Sequence, residues 1–60
     1  MFFTLTKYGN EGPVVVNTDR INMFRKSSID LSTVIFFADS EDYICVDESV
    51  AEIRSLILGG

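Results

Sequence analysis

Cys45 is the one thiol in the chain, and its neighbours argue against its use as a nucleophile. A reactive cysteine needs a nearby base or cation to hold it as thiolate. The run Tyr43-Ile44-Cys45-Val46-Asp47-Glu48 offers apolar and acidic neighbours, which favour the protonated form, so packing is the expected role. Asp39-Ser40-Glu41-Asp42 gathers three carboxylates into four residues. A calcium loop would need spaced oxygens and a glycine at its sharp bend, and neither is present. A solvated turn whose charge discourages edge-to-edge aggregation fits better. The chain has no histidine, so general acid–base catalysis is poorly supplied, and one chain lacks the ligands for a structural zinc. No glycine-rich phosphate loop precedes a helix. These residues predict a non-enzymatic protein with no metal and no cofactor.

The charged residues suggest surfaces, not chemistry. Nine acids against five bases give a net charge of −4, which argues against general nucleic-acid binding. Arg20, Arg25 and Lys26 lie near Phe24, so they could touch phosphates while the ring stacks on a base. Three cations in an acidic chain carry that reading only weakly, and Phe24 is expected in the core. Asp39, Glu41, Asp42, Asp47, Glu48 and Glu52 have no base among them. They form either a solvated edge or a surface complementary to a second subunit or a basic partner.

The element that must position most of these groups is a hairpin. Thr33–Ala38 and Tyr43–Val46 are rich in β-branched and aromatic residues and flank the polar turn 39–42. Pairing Ala38 with Tyr43 across a four-residue turn puts Ile35, Phe37, Ile44 and Val46 on one face. Val34, Phe36, Ala38, Tyr43 and Cys45 then fall on the other, because side chains alternate along a strand. A strand with one wet face should alternate apolar with polar. This pair is apolar on both, so something must cover the second face.

The remaining elements are short. Phe2–Tyr8 reads as a strand, Gly9-Asn10-Glu11-Gly12 as a turn, and Pro13 with Val14–Val16 as a second, antiparallel strand. Asn17–Arg20 should stop it, with a helical turn over Thr18–Ile21 that drops Ile21 into the core. Asn22–Ser27 favours a third strand, and Ile29 and Leu31 in the loop before the hairpin are expected to be partly buried or to touch a neighbour. From Asp47 the chain reads as its one helix. Ser49 and Glu52 form a capping box, Asp47 and Glu48 suit the positive end of the dipole, and Val50, Ile53 and Ile57 make the buried stripe beside Leu56. The sum is one domain, α+β and mainly β: about five short antiparallel strands, as a small sheet or SH3-like barrel, with a C-terminal helix.

Sixty residues lie near the lower limit for a self-sufficient core. Domains of this size usually recruit a disulfide, a metal or a second subunit. The composition leaves the last, so a homodimer is expected. The N-terminus has no basic segment before a long apolar run, which predicts neither a signal peptide nor a membrane span. A lone cysteine fits a reducing compartment, with cytoplasm as the expected location.

Leu5-Thr6, the turn at Gly9, Val16-Asn17-Thr18-Asp19-Arg20-Ile21, Thr33-Val34-Ile35 and Val46-Asp47-Glu48-Ser49 with Glu52-Ile53 together resemble the FlbD family. That family comprises small flagellar-associated proteins, including SwrD-like motility proteins and short bacterial and phage relatives. The resemblance spans nearly the whole chain, and Asn17-x-Asp19-x-Ile21 is its most specific part. Three features depart from the family pattern, the first being Gly9-Asn10-Glu11-Gly12 where the family usually carries an Asn-Gly turn. Phe36 stands where its hairpin carries a second threonine, and Asp39-Ser40-Glu41-Asp42 replaces a glycine-containing turn. The resemblance implies that Ile35 and Phe37 face the core, leaving Val34, Phe36, Tyr43 and Cys45 as an exposed apolar face, with Phe2 and Val15 extending it. Such a patch marks an interface. The expected function is protein–protein contact, chiefly self-association. The alternatives are a phage-type inhibitor that uses Asp39, Glu41, Asp42, Asp47 and Glu48 to block a nucleic-acid-binding host protein, and a small nucleic-acid binder.

Overall fold

The computed structural model describes residues 1–59. The strands are β1 (Phe2–Lys7), β2 (Gly12–Asn17), β3 (Ile21–Lys26), β4 (Thr33–Phe37) and β5 (Tyr43–Val46), followed by helix α1 (Val50–Gly59). They form one antiparallel sheet in the order β2-β1-β5-β4-β3, and the five antiparallel strands with a C-terminal helix are those the sequence led one to expect. β2 and β3 occupy opposite edges, yet a single 3-10 turn, Thr18–Arg20, joins them. So short a connection requires the sheet to curl until its edges approach.

Local chemistry explains the turns. Gly9, Asn10 and Gly12 take φ values of +88°, +61° and +93°, a region open to glycine and tolerated by asparagine. At the 3-10 turn the Asn17 side chain accepts a hydrogen bond from the Asp19 amide at 3.1 Å. Asn17 is thus a turn-capping residue, in keeping with its type.

Leu5, Val16, Ile35, Val46 and Ile53 form the buried core, with Val14, Ile21, Phe24, Phe37, Ile44 and Leu56 packed around it. Ile21 and Phe24 differ by three positions and could not share a face of a regular strand. A bulge resolves this: Ile21 pairs with Phe37 and Met23 with Phe36, so β3 takes two steps where β4 takes one. Asn22 is the extra residue, and it lets both apolar side chains point inward.

The hairpin register differs from the expected one. Tyr43 pairs with Phe36, not with Ala38, and the connection is correspondingly longer. The Ala38 amide instead donates to the Arg20 carbonyl at 2.8 Å, extending the ladder toward β3. A slip of two residues preserves facing, so Ile35, Phe37, Ile44 and Val46 still point inward.

The capping box forms: the Glu52 amide donates to Ser49 Oγ at 3.1 Å and the Ser49 amide to the Glu52 carboxylate at 3.4 Å. The helix buries Ile53 and half-buries Val50 and Leu56, whereas Ile57 turns more to solvent. The inward stripe therefore follows three-residue spacing through Val50, Ile53 and Leu56, correcting Ile57 to the flank.

Candidate protein-interaction surface

Cross-strand pairing sets two rows of side chains across the outer face of β3, β4 and β5. Met23, Phe36 and Tyr43 form one row, and Arg25, Val34 and Cys45 the other. Tyr8 continues the second row, since its amide donates to the Cys45 carbonyl at 2.9 Å. The Phe36 and Tyr43 rings lie 5.8 Å apart at a tilted 43°, an attractive aromatic arrangement. The Arg25 guanidinium stands 5.7 Å from the Phe36 ring centre, close enough for a cation–π contact.

These rows floor a groove of about 310 Å³ bordered by Arg25, Val34, Phe36, Tyr43 and Cys45 and, from the loop before β4, by Ser27, Ser28, Ile29 and Asp30. Val34 is only 6% exposed, so it is buried by its own chain and corrects the expectation that it projects freely. Phe36 and Cys45 are half-buried, and Tyr43 is 60% exposed. None of these four lies beneath α1: the helix supplies no part of the groove wall.

The 27–32 loop closes one end of the groove. Its Ser27 amide donates to the Ser32 carbonyl at 2.9 Å, and the Ile29 amide to Ser27 Oγ at 3.2 Å. Asp30 accepts from both the hydroxyl and the amide of Ser32, and these bonds hold its carboxyl below the usual range. Ser32 is buried, while Ile29 and Leu31 are 89% and 82% exposed. They are therefore free of the chain's own core. The sequence signal was available: two aliphatic residues in alternation with Asp30 inside a serine-rich loop.

Phe2 and Val15 are exposed but do not continue this groove. Val15 pairs with Thr4, and Thr4 and Thr6 separate Phe2 from Tyr8 on the outer face of β1. Phe2 and Tyr8 are thus roughly 20 Å apart along the strand. The two residues form a second, smaller patch.

The charged candidates scatter. Arg20 forms an ion pair with Asp39, across the junction of the 3-10 turn and the hairpin turn. Arg25 covers Phe36 and Lys26 is exposed, five and six residues farther along from Arg20, about 17–20 Å. Arg20, Arg25 and Lys26 therefore do not converge on one phosphate track. The Thr6 amide donates to both carboxylate oxygens of Glu48, at 2.9 and 3.1 Å, so Glu48 serves the sheet. Glu41, Asp42 and Asp47 are exposed and, among the described residues, take part in no ion pair. No cluster of three metal-ligating side chains occurs among the described residues. No helix among them is long and apolar enough to cross a membrane.

Comparison of the chain with family models, curated proteins and solved structures finds no match.

Proposed function

We propose that this chain is a non-enzymatic interaction module that self-associates as a dimer through the outer face of β3, β4 and β5. The observation that carries the reading is the groove itself. Phe36, Tyr43 and Cys45 form the apolar floor of a concavity whose loop side is polar, with Ser27, Ser28 and Asp30, and which no described element of the same chain fills. Exposed apolar surface of this kind favours association, because burying it removes roughly 25 cal/mol per Å² of unfavourable contact with water. A chain of 60 residues has little other interior to draw on. The cysteine without a disulfide partner suits a reducing compartment such as cytoplasm. The likeness to the FlbD family directs the search for context to flagellar and phage gene neighbourhoods. Size-exclusion with light scattering tests the reading: a dimer at micromolar concentration is expected, and a folded monomer overturns it.

A second reading has a specific observation behind it: Glu41 and Asp42 before β5 and Asp47 after it are exposed and, among the described residues, in no ion pair. They would suit a basic protein surface, in the manner of an inhibitor that covers a nucleic-acid site. Binding to such a partner should weaken steeply with salt, and salt-independent capture removes this reading.

A further inference from the structure

We propose that the 3-10 turn Thr18–Arg20 is a latched hinge. Turned, it folds the β1–β2 hairpin back onto its own chain; extended, it delivers that hairpin to the same seat on a second copy. Two chains that exchange hairpins in this way form a dimer that does not use the outer face of β3, β4 and β5.

The seat makes no demand on chain identity. β1 meets β5 at one ladder pair, Lys7 with Val46, beside the backbone bonds from Tyr8 to Cys45 and from Asp47 to Thr6. Glu48 accepts from the Thr6 amide, and Leu5 and Val16 pack with Ile35, Val46 and Ile53. A second copy's hairpin brings the same Leu5, Thr6, Lys7 and Val16 to the same partners. These contacts therefore cancel between the self-folded and exchanged forms. What remains is the hinge and the cost of bringing two chains together, so small differences at the hinge decide the balance.

The hinge has the features of both states. Its flanks are already extended, Asn17 at φ −87°, ψ 109° and Ile21 at φ −77°, ψ 123°. Thr18, Asp19 and Arg20 alone have to change for β2 to run on into β3, and none of them is glycine or proline. The turned form also joins strands at opposite edges of the sheet through three residues, a constraint that exchange relieves. Against this stand bonds that belong to the turn. Asn17 Oδ1 accepts from the Asp19 amide at 3.1 Å and from the Met1 ammonium at 3.2 Å, and the Ile21 amide donates to the Thr18 carbonyl. Arg20 ties the turn to the β4–β5 hairpin, its carbonyl taking the Ala38 amide and its guanidinium pairing with Asp39. Extension breaks the bond between Asn17 and the Asp19 amide, which makes Asn17 the residue to alter.

Cross-linking at the seat reads which chain supplies β1. Lys7 and Val46 oppose each other between two hydrogen-bonded pairs, where Cα atoms stand about 4.5 Å apart, within disulfide reach. Val46 is fully buried, so a bond there reports the seat and not the outer face. Lys7→Cys/Cys45→Ser is mixed with Val46→Cys/Cys45→Ser, refolded together at high concentration and mildly oxidised. A covalent heterodimer requires β1 of one chain on β5 of the other. The native hinge should give little of it. Asn17→Val in both chains should raise the yield about tenfold or more, because two caps are lost per dimer. Adding Phe36→Asp should leave that yield unchanged, and its loss would assign the contact to the outer face and overturn the exchange. A yield unaltered by Asn17→Val, with native circular dichroism, overturns the latch. Deletion of Asp19 is a second variant: its folded protein should be dimeric only, and a folded monomer overturns the hinge.

Discussion

Asp30 accepts two hydrogen bonds from Ser32, one from its hydroxyl and one from its amide at 2.8 Å. The pair braces the loop that carries Ile29 and Leu31, and it makes the carboxylate form of Asp30 the favoured one. The folded-state pKa lies below the ordinary value of 3.8, so the ionised group stabilises the fold at neutral pH. That contribution is lost as pH falls from about 4 through the folded value. Asp30→Asn should lower the melting temperature at pH 7 and flatten its pH dependence below about 4. Parallel melting curves for variant and wild type that keep a constant offset from pH 7 to pH 2 would rule this out.

Glu48 should matter for stability, not for partner binding. Its carboxylate holds the Thr6 amide, and its carbonyl accepts from Thr33 Oγ1 at 2.6 Å. Removing the charged acceptor leaves the amide unpaired, so Glu48→Ala should cost about 1–2 kcal/mol. Glu48→Gln keeps an acceptor and should recover part of the loss. Urea denaturation gives both numbers, and equal stability of Glu48→Ala and wild type would refute the role.

Neighbouring positions on β4 should separate folding from association. Ile35 is fully buried, and Ile35→Ala should cost about 2–5 kcal/mol. A domain of this length holds about 3–9 kcal/mol in total, so Ile35→Asp should unfold it. Phe36→Asp changes the opposite face and should abolish the dimer while circular dichroism remains native. If the two aspartate variants behave alike, the division between the faces fails.

Ser49 caps α1 through the Glu52 amide, and Ser49→Ala should cost about 1 kcal/mol. The melting temperature should drop without a change in dimer affinity, since the helix lies off the groove. A change in affinity comparable to that of Phe36→Asp would place α1 in the interface.

Much of this architecture was legible because it depends on alternation. The hairpin register slipped by two residues, yet Ile35, Phe37, Ile44 and Val46 kept their faces, since facing repeats every second residue. The capping box was legible from the spacing of Ser49 and Glu52 alone. The bulge at Asn22 was not, because nothing local distinguishes an extra residue from a regular strand position; it follows from the need of both Ile21 and Phe24 for the core. The burial of Val34 depends on Arg25 and Cys45 in neighbouring strands, which alternation within one strand does not reveal. The full exposure of Ile29 and Leu31 follows from the loop's own hydrogen bonds, a geometry that composition does not encode.

β1 and β5 share one ladder pair, Lys7 with Val46, flanked by backbone bonds from Tyr8 to Cys45 and from Asp47 to Thr6. A side chain, Glu48, completes what would ordinarily be main-chain stitching there. The N-terminal β1–β2 hairpin is thus hinged to the rest along its weakest seam. Amide hydrogen exchange should report opening along that line, and because Leu5 and Val16 share one interior with Ile35, Val46 and Ile53, parting the ribbon uncovers the apolar centre of the whole molecule.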